Sequence, residues 1–463
     1  MSISEKTSEE SDEILKSNKL WLTVEGAVSS VYLILTQGAL FTAIALYFGL
    51  NPFWLSVTAA FPLVFQVFQV IAPQIIRHYG NRPRLMIIFN ACRFIWFVPL
   101  VLAYIGVHSP VFFIVVFALS QLANAFAGNV WVGLSRDLIP EEERGRFLGR
   151  RNVAVSVTTI AATFIYTTML DVLAKPVSII LTIGLGMLAT AVSILTALPI
   201  RDTSCHFTGS TITHSERGTK ISFRSLVPAI IKTNRALLEN KNLSRFIVAM
   251  MVWNFFLQIT SPFFAYHQIT NLSLSMRLIG ITSIITSVLS IVFFRIWGIL
   301  GDHLGHKSVL VSGVSIASII PMLWFFMEAP LWPYILAVDI VLTAVGWSAV
   351  NLAILTFGME ISGKESSAGF ALINAGAGIA GLLGSLVGGV LGQLLKPVNV
   401  SFAGLTVNGI QFLFLGGGLL RFIGLAFFKK VTSERCVEPK VLFMNVLSVI
   451  ARRFAIRPVE MDD

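Results

Sequence analysis

The feature that most constrains this chain is a succession of apolar runs long enough to cross a membrane. Two of them, "GITSIITSVLSIVFF" and "VSGVSIASIIPMLWFF", flank the stretch "RIWGILGDHLGHKSVL". Twelve runs are read along the 463 residues, near 22–48, 53–76, 85–106, 110–134, 152–172, 177–199, 245–268, 278–300, 308–328, 332–357, 367–394 and 406–428. Each approaches the ~20 residues with which a helix spans ~30 Å of hydrocarbon. A backbone in lipid has no water to bond, so each run satisfies its own peptide groups as a helix. The alternating ten-residue strands of a β-barrel do not occur in the sequence. The expected fold class is an all-α membrane protein with twelve transmembrane helices.

Charge gives the orientation. Only 13% of residues are charged, against about 25% in soluble domains. The net charge of +10 would suggest nucleic acid in a soluble protein, but its distribution explains it otherwise. With both termini cytoplasmic, 28 of the 34 Lys and Arg fall on cytoplasmic segments, and three, Lys175, Arg277 and Lys396, on external loops. That bias places both ends inside. The expected setting is the plasma membrane, with lipid and a small solute as partners, as a monomer and without nucleic acid. Arg93, Arg295 and Arg421 fall within spans and are read as snorkelling to the inner surface. Cys92, Cys205 and Cys436 follow no disulfide, metal or redox spacing. The polar segment 1–21 is unlike a signal peptide, so the first run is expected to remain as an anchor.

The long polar segment 200–244 separates a six-span half, 22–199, from a second, 245–428, with a cytoplasmic tail at 429–463. Within the linker, Leu226, Ile230, Ile231, Leu237 and Leu238 recur at helical spacing between basic residues. They read as an amphipathic segment on the membrane surface. The halves repeat. "QIIRHYGNRPRL" (74–85) aligns with "ILGDHLGHKSVL" (299–310) at a shift of 225. Gly80 meets Gly305 and Arg82 meets Lys307, each in the turn between the second and third spans of its half. The glycines suit a left-handed turn position.

These residues carry a family resemblance. "GILGDHLGHK" (298–307) resembles the major facilitator superfamily signature G-x-L-x-D-x-x-G-x-K/R. "DLIPEEERG" (137–145) resembles a second signature of that family, with Asp137, Pro140, Arg144 and Gly145 in its places. The resemblance implies two pseudo-symmetric six-helix bundles and alternating access by rocker-switch motion. It also implies a cavity lined by the first, fourth, seventh and tenth spans. There are departures: Arg77 and Pro73 stand where the first half would carry Asp and Gly, and Gly363 and Ser367 where the second would carry Pro and Arg. The fifth-span Gly/Pro signature of drug antiporters and the fourth-span Arg of proton-coupled members are missing.

Asp302 lies four residues after Gly298, on one helix face. Gly298 is expected to admit a neighbouring helix. Asp302, Gly305 and Lys307 are expected to form a cytoplasmic gate with Asp137, Arg144, Arg146, Arg150 and Arg151, Asp302 latching to the basic cluster. The alternative is a solvated loop charge that serves topology only.

On the implied cavity spans, Gln121, Asn124, Gly128 and Trp131 recur at i, i+3, i+7 and i+10, one stripe of a helix. Asn254, Gln258 and Ser261 repeat the pattern beside Trp253. The first span offers Ser30 and Gln37, the tenth Thr343, Trp347 and Asn351. Polar groups at membrane depth either serve a pathway or bond neighbouring helices. This amide, hydroxyl and indole lining suits a neutral or weakly charged polar solute. Asp339 is the acid well inside a span. It is a candidate proton carrier, or a structural acid bonded to a Ser, Thr or Trp neighbour. Glu25, nearer the inner surface, suits a structural or gating role. Gly376, Ala380, Gly384, Gly388 and Gly392 form a small-residue ladder for helix packing.

No catalytic constellation, metal site or cofactor motif appears, and "GLLGSLVGG" lacks the Gly-Lys-Ser/Thr ending of a phosphate loop. The expected activity is secondary transport of a small polar solute, with proton symport as the leaning. The alternatives are efflux of amphipathic compounds and a non-transporting receptor.

Overall fold

A computed structural model describes residues 3–70, 81–139, 141–200, 237–362, 366–402 and 405–433. Among them ten helices are long and apolar enough to cross a membrane, and a bent pair makes an eleventh. A shorter apolar helix, Pro52–Phe68, stands where the second span is expected. Residues 71–76 of that span lie outside the described residues, as do Pro73, Arg77 and Gly80. The amphipathic linker segment from 201 to 236 and the tail from 434 onward also lie outside them.

Helix starts follow from local chemistry. Asn51 accepts the Trp54 amide and Asn81 the Arg84 amide, each just ahead of a proline in the first turn. Such caps satisfy amides that have no intrahelical acceptor, and proline loses nothing there. Span four is Pro110–Leu138, span five Glu141–Val172 and span six Lys175–Ala197. In the second half, span eight is Met276–Leu304, nine His306–Trp324, ten Trp332–Ser362 and eleven Ser366–Leu395. Span twelve, Gly409–Lys429, starts later than the sequence suggests. An antiparallel hairpin, β1 (Asn399–Phe402) with β2 (Leu405–Asn408), precedes it, with Asn399 opposite Asn408.

Among the described residues several spans are interrupted, and three of the breaks matter here. Span one runs Ile3–Leu33, then bends by 51° into Gly38–Tyr47 at Gln37 and Gly38, whose φ is +56°. Span three passes through a 3-10 segment, Cys92–Trp96. Span seven is helical over Lys241–Thr260, breaks at Ser261–Pro262, and ends in a π turn over His267–Asn271. Proline lacks the amide that would continue the ladder, which explains the break.

The chain forms two compact units. One comprises Met1–Thr233, Ser261–Ile281 and Gly381–Gln393, the other Asn234–Thr260, Thr282–Ala380 and Leu394–Asp463. The ends of spans seven, eight and eleven expected to be external thus group with the first six spans. Within that first unit the Ser56 hydroxyl donates to the Ser385 carbonyl at 2.7 Å, Gly280 lies against Thr167, and Gly389 against Phe53. Within the second unit the core gathers Phe246, Trp253, Trp297, Leu310, Val350 and Phe357. From the span-eleven ladder, Gly392 lies against Phe263 in the first unit and Gly376 against Met251 in the second.

Candidate functional site

The first unit contains a buried polar network that joins spans one, three, four, five and six. Glu25, Ser29 and Tyr32 are spaced i, i+4 and i+7 on span one and share a face. Asn90 and Arg93 face them from span three. The Glu25 Oε1 accepts from Asn90 Nδ2 at 3.1 Å and from the Ser193 hydroxyl at 3.0 Å. Arg93 donates to the Ser29 hydroxyl at 2.7 Å and to Asn124 Oδ1 at 3.0 Å. Its guanidinium lies 4.9 Å from the centre of the Tyr32 ring.

Arg93 is the central residue of span three, Arg82–Tyr104, and only 4% exposed. The reading of Arg93 and Arg421 as snorkelling residues is therefore corrected: both are buried. Arg295 does lie exposed, as snorkelling requires. Side-chain partners inside the bundle offset the desolvation that would otherwise drive a guanidinium to the surface.

The span-four stripe enters this network. Gln121 is buried, Asn124 and Trp131 are half-buried, and Gly128 is exposed. A side chain added at Gly128 would meet nothing within 4 Å among the described residues, so there is open space at that position. Gln121 Nε2, Asn124 Nδ2 and Trp131 Nε1 have no hydrogen-bond partner among the described residues. The Arg151 guanidinium lies 4.0 Å above the Trp131 ring, and Glu25 acts on it electrostatically. On span one, Ser30 is buried and donates to the Ala27 carbonyl at 2.6 Å, while Gln37 is exposed at the bend.

In the second unit the expected lining is placed differently. Trp253 is 1% exposed and packs on Gly424 and Phe428 in the apolar core, away from any open face. Asn254 is buried and donates to its own Met250 carbonyl at 2.8 Å, and Gln258 is buried one turn further on. The Asp339 Oδ1 accepts from Trp324 Nε1 at 2.9 Å and from the Thr343 hydroxyl at 3.2 Å. Trp347 is half-buried against the core and Asn351 is exposed.

At the expected gate, Gly305 has φ +93° and begins span nine, a conformation that a side chain would strain. Lys307 donates to the Lys429 carbonyl at 3.2 Å, capping span twelve. Its counterpart in the repeat, Arg82, donates to the Gly133 carbonyl at 3.4 Å. An added side chain at Gly298 meets nothing within 4 Å among the described residues. Arg146 and Arg150 are exposed. The side chains of Asp302, Asp137 and Arg144 lie outside the described residues. Arg151, expected in the latch, lies over the Trp131 ring.

Sequence reasoning missed Asn90, Arg93, Ser29 and Tyr32 as parts of one network. The i, i+4, i+7 spacing of Glu25, Ser29 and Tyr32 was the available signal.

Long apolar helices around buried polar clusters define a multi-pass membrane protein that keeps polar chemistry away from lipid. The model of the Major Facilitator Superfamily matches residues 26–385, and the chain belongs to that family. It is a transporter by family. Solved structures give the same fold. A mutant form of the nucleoside transporter NupG is similar at a TM-score of 0.66 and 14% identity, over 89% of this chain and 100% of that one. A D-xylose-proton symporter gives 0.62 and 14%, over 91% and 98%. The inward open xylose transporter XylE from E. coli gives 0.57 and 13%, over 93% and 99%. No curated protein matches the chain in sequence.

Proposed function

We propose that this chain is a secondary active transporter that moves a small polar solute by rocker-switch alternating access, from a site on spans one and four. One observation carries the reading. Gln121, Asn124 and Trp131 share a stripe around the open position at Gly128, and each keeps a buried N–H without an acceptor among the described residues. A buried donor left unpaired costs about 1–3 kcal/mol. A chain that keeps three on one face reserves them for a partner that arrives and leaves. Span one adds Gln37 to the pathway.

The transporter works as a monomer in the plasma membrane with both termini cytoplasmic, as the basic-residue bias supports. Transport is proton symport, with Asp339 as the carrier, since its second carboxylate oxygen remains available beyond the bonds from Trp324 and Thr343. A groove of about 500 Å3 lined by Phe89, Cys92, Ile95, Leu119, Leu122 and Phe126 favours a second reading, export of amphipathic compounds.

Proteoliposome uptake of labelled sugars, nucleosides, small acids and apolar cations, with and without a proton gradient, tests these readings. Gly128→Trp is expected to stop uptake of the polar solute without lowering the melting temperature. Flux of apolar cations alone would favour the second reading. Proton-driven uptake that persists in Asp339→Asn would remove the coupling role.

A further inference from the structure

The first unit places its intramembrane cations and its unpartnered donors side by side. Resting on the reading of spans one and four as a solute site, we infer that the solute carries an anionic group of carboxylate type, received at the edge of Arg151. The Arg151 guanidinium carbon lies over the Trp131 ring, 4.0 Å from its centre, and its Nε has no partner among the described residues. A guanidinium stacked on indole keeps its donors in the plane of its edge, the arrangement that receives a carboxylate through two parallel bonds.

The seat is built for this residue. A methyl group at Gly26 would overlap the guanidinium, so span one leaves out a side chain where Arg151 crosses it. Glu25 supplies the nearby negative charge, but it is shared. It acts on both Arg93 and Arg151, and its Oε1 already accepts from Asn90 and Ser193. Among the described residues these two guanidiniums face one carboxylate, and a surplus charge in a partly buried site is costly until an anion compensates it. The unpartnered groups on the adjoining stripe, from Gln121, Asn124 and Trp131, are all N–H donors. Donors plus a surplus cation select an acceptor-rich anion and reject an ammonium group. The amide, hydroxyl and indole lining suits a neutral or weakly charged solute, and the burial of Arg93 beside that lining adds a cation that the sequence placed near the surface.

The test uses the full chain in proteoliposomes and in detergent, with solute pairs that differ in charge: nicotinate and nicotinamide, gluconate and glucose, N-acetylglycine and its amide. At least one acid is expected to raise the melting temperature and to be taken up, while its neutral partner does neither. Arg151→Gln is expected to weaken that acid's binding about tenfold or more, and Arg151→Lys to restore part of it. Trp131→Phe keeps a ring beneath the guanidinium and controls for folding; it is expected to weaken binding less and to melt as the wild type does. Equal action of acids and neutral partners, unchanged acid binding in Arg151→Gln, or binding by none of the acids would overturn the inference. Flux of a neutral member alone overturns the anion assignment and leaves the transporter reading standing. Acid binding without flux does the reverse.

Discussion

Arg93 and Arg421 are both buried inside apolar spans, and the two units accommodate them by opposite means. In the first unit, Arg93 is held by side chains: Ser29, Asn124, the Tyr32 ring and the field of Glu25. In the second, Arg421 is held largely by backbone. It donates to the Ala317 carbonyl at 3.0 Å, to the Leu257 carbonyl at 3.3 Å and to the Thr260 hydroxyl. Both carbonyls are at helix interruptions. Pro321 lies four residues beyond Ala317 and has no amide to offer it. Leu257 is in the last turn of the helix that stops at Thr260, whose hydroxyl also donates to the Leu257 carbonyl at 3.4 Å, and a cation is favoured at such an end. Arg421 thus pins two interrupted helices. The lesson is that a cation bonded to backbone is fixed in place, whereas one among side chains with spare donors beside it remains open to exchange.

The largest expected effect tests the pin. Arg421→Met leaves the buried Ala317 carbonyl without its donor and the Leu257 carbonyl with the Thr260 hydroxyl alone, and is expected to lower stability by about 1–3 kcal/mol, read as a fall in melting temperature. An unchanged melting temperature would break the comparison at once. Next comes Gly26→Val, which drives a branched side chain into the Arg151 guanidinium. Overpacking of this kind costs about 1–3 kcal/mol, and solute binding should be lost with it. Binding that survives would detach Arg151 from the site.

A smaller effect sharpens the second unit's half of the comparison. Adding Pro321→Ala to Arg421→Met restores an amide at position 321 for the Ala317 carbonyl. The double variant should recover about 1 kcal/mol of the loss. Recovery of nothing would mean that the carbonyl is not what Arg421 satisfies. The smallest effect has the opposite sign. Gln121→Leu removes a buried donor that has no acceptor, so stability should rise by about 1 kcal/mol or stay level, while uptake falls. A clear loss of stability would show that Gln121 is part of the packing rather than of the solute site.

Much of the fold was legible in hydropathy, because a lipid-facing helix must be apolar over a fixed length. The stripe on span four was legible for the same reason, as polar side chains at helical spacing share a face wherever the helix packs. Trp253 shows where that logic stops. It neighbours Asn254 in sequence, yet successive helix residues point about 100° apart, and it faces the core while the amide lies one step round. The break in span seven was written in Pro262, but Arg421, which binds the Leu257 carbonyl and the Thr260 hydroxyl just before the break, is some 160 residues away in sequence.

The sequence by itself determined which segments enter the membrane, where the halves repeat and which residues carry charge. These follow from local composition and periodicity, which act on each helix separately. Only the tertiary structure decided what each charge meets. Glu25 with Asn90 and Ser193, Arg151 on Trp131, and Arg421 on Ala317 are pairings between distant spans. An ion's free energy in a low-dielectric interior depends on the few atoms within a few ångströms of it, and packing alone sets which atoms those are.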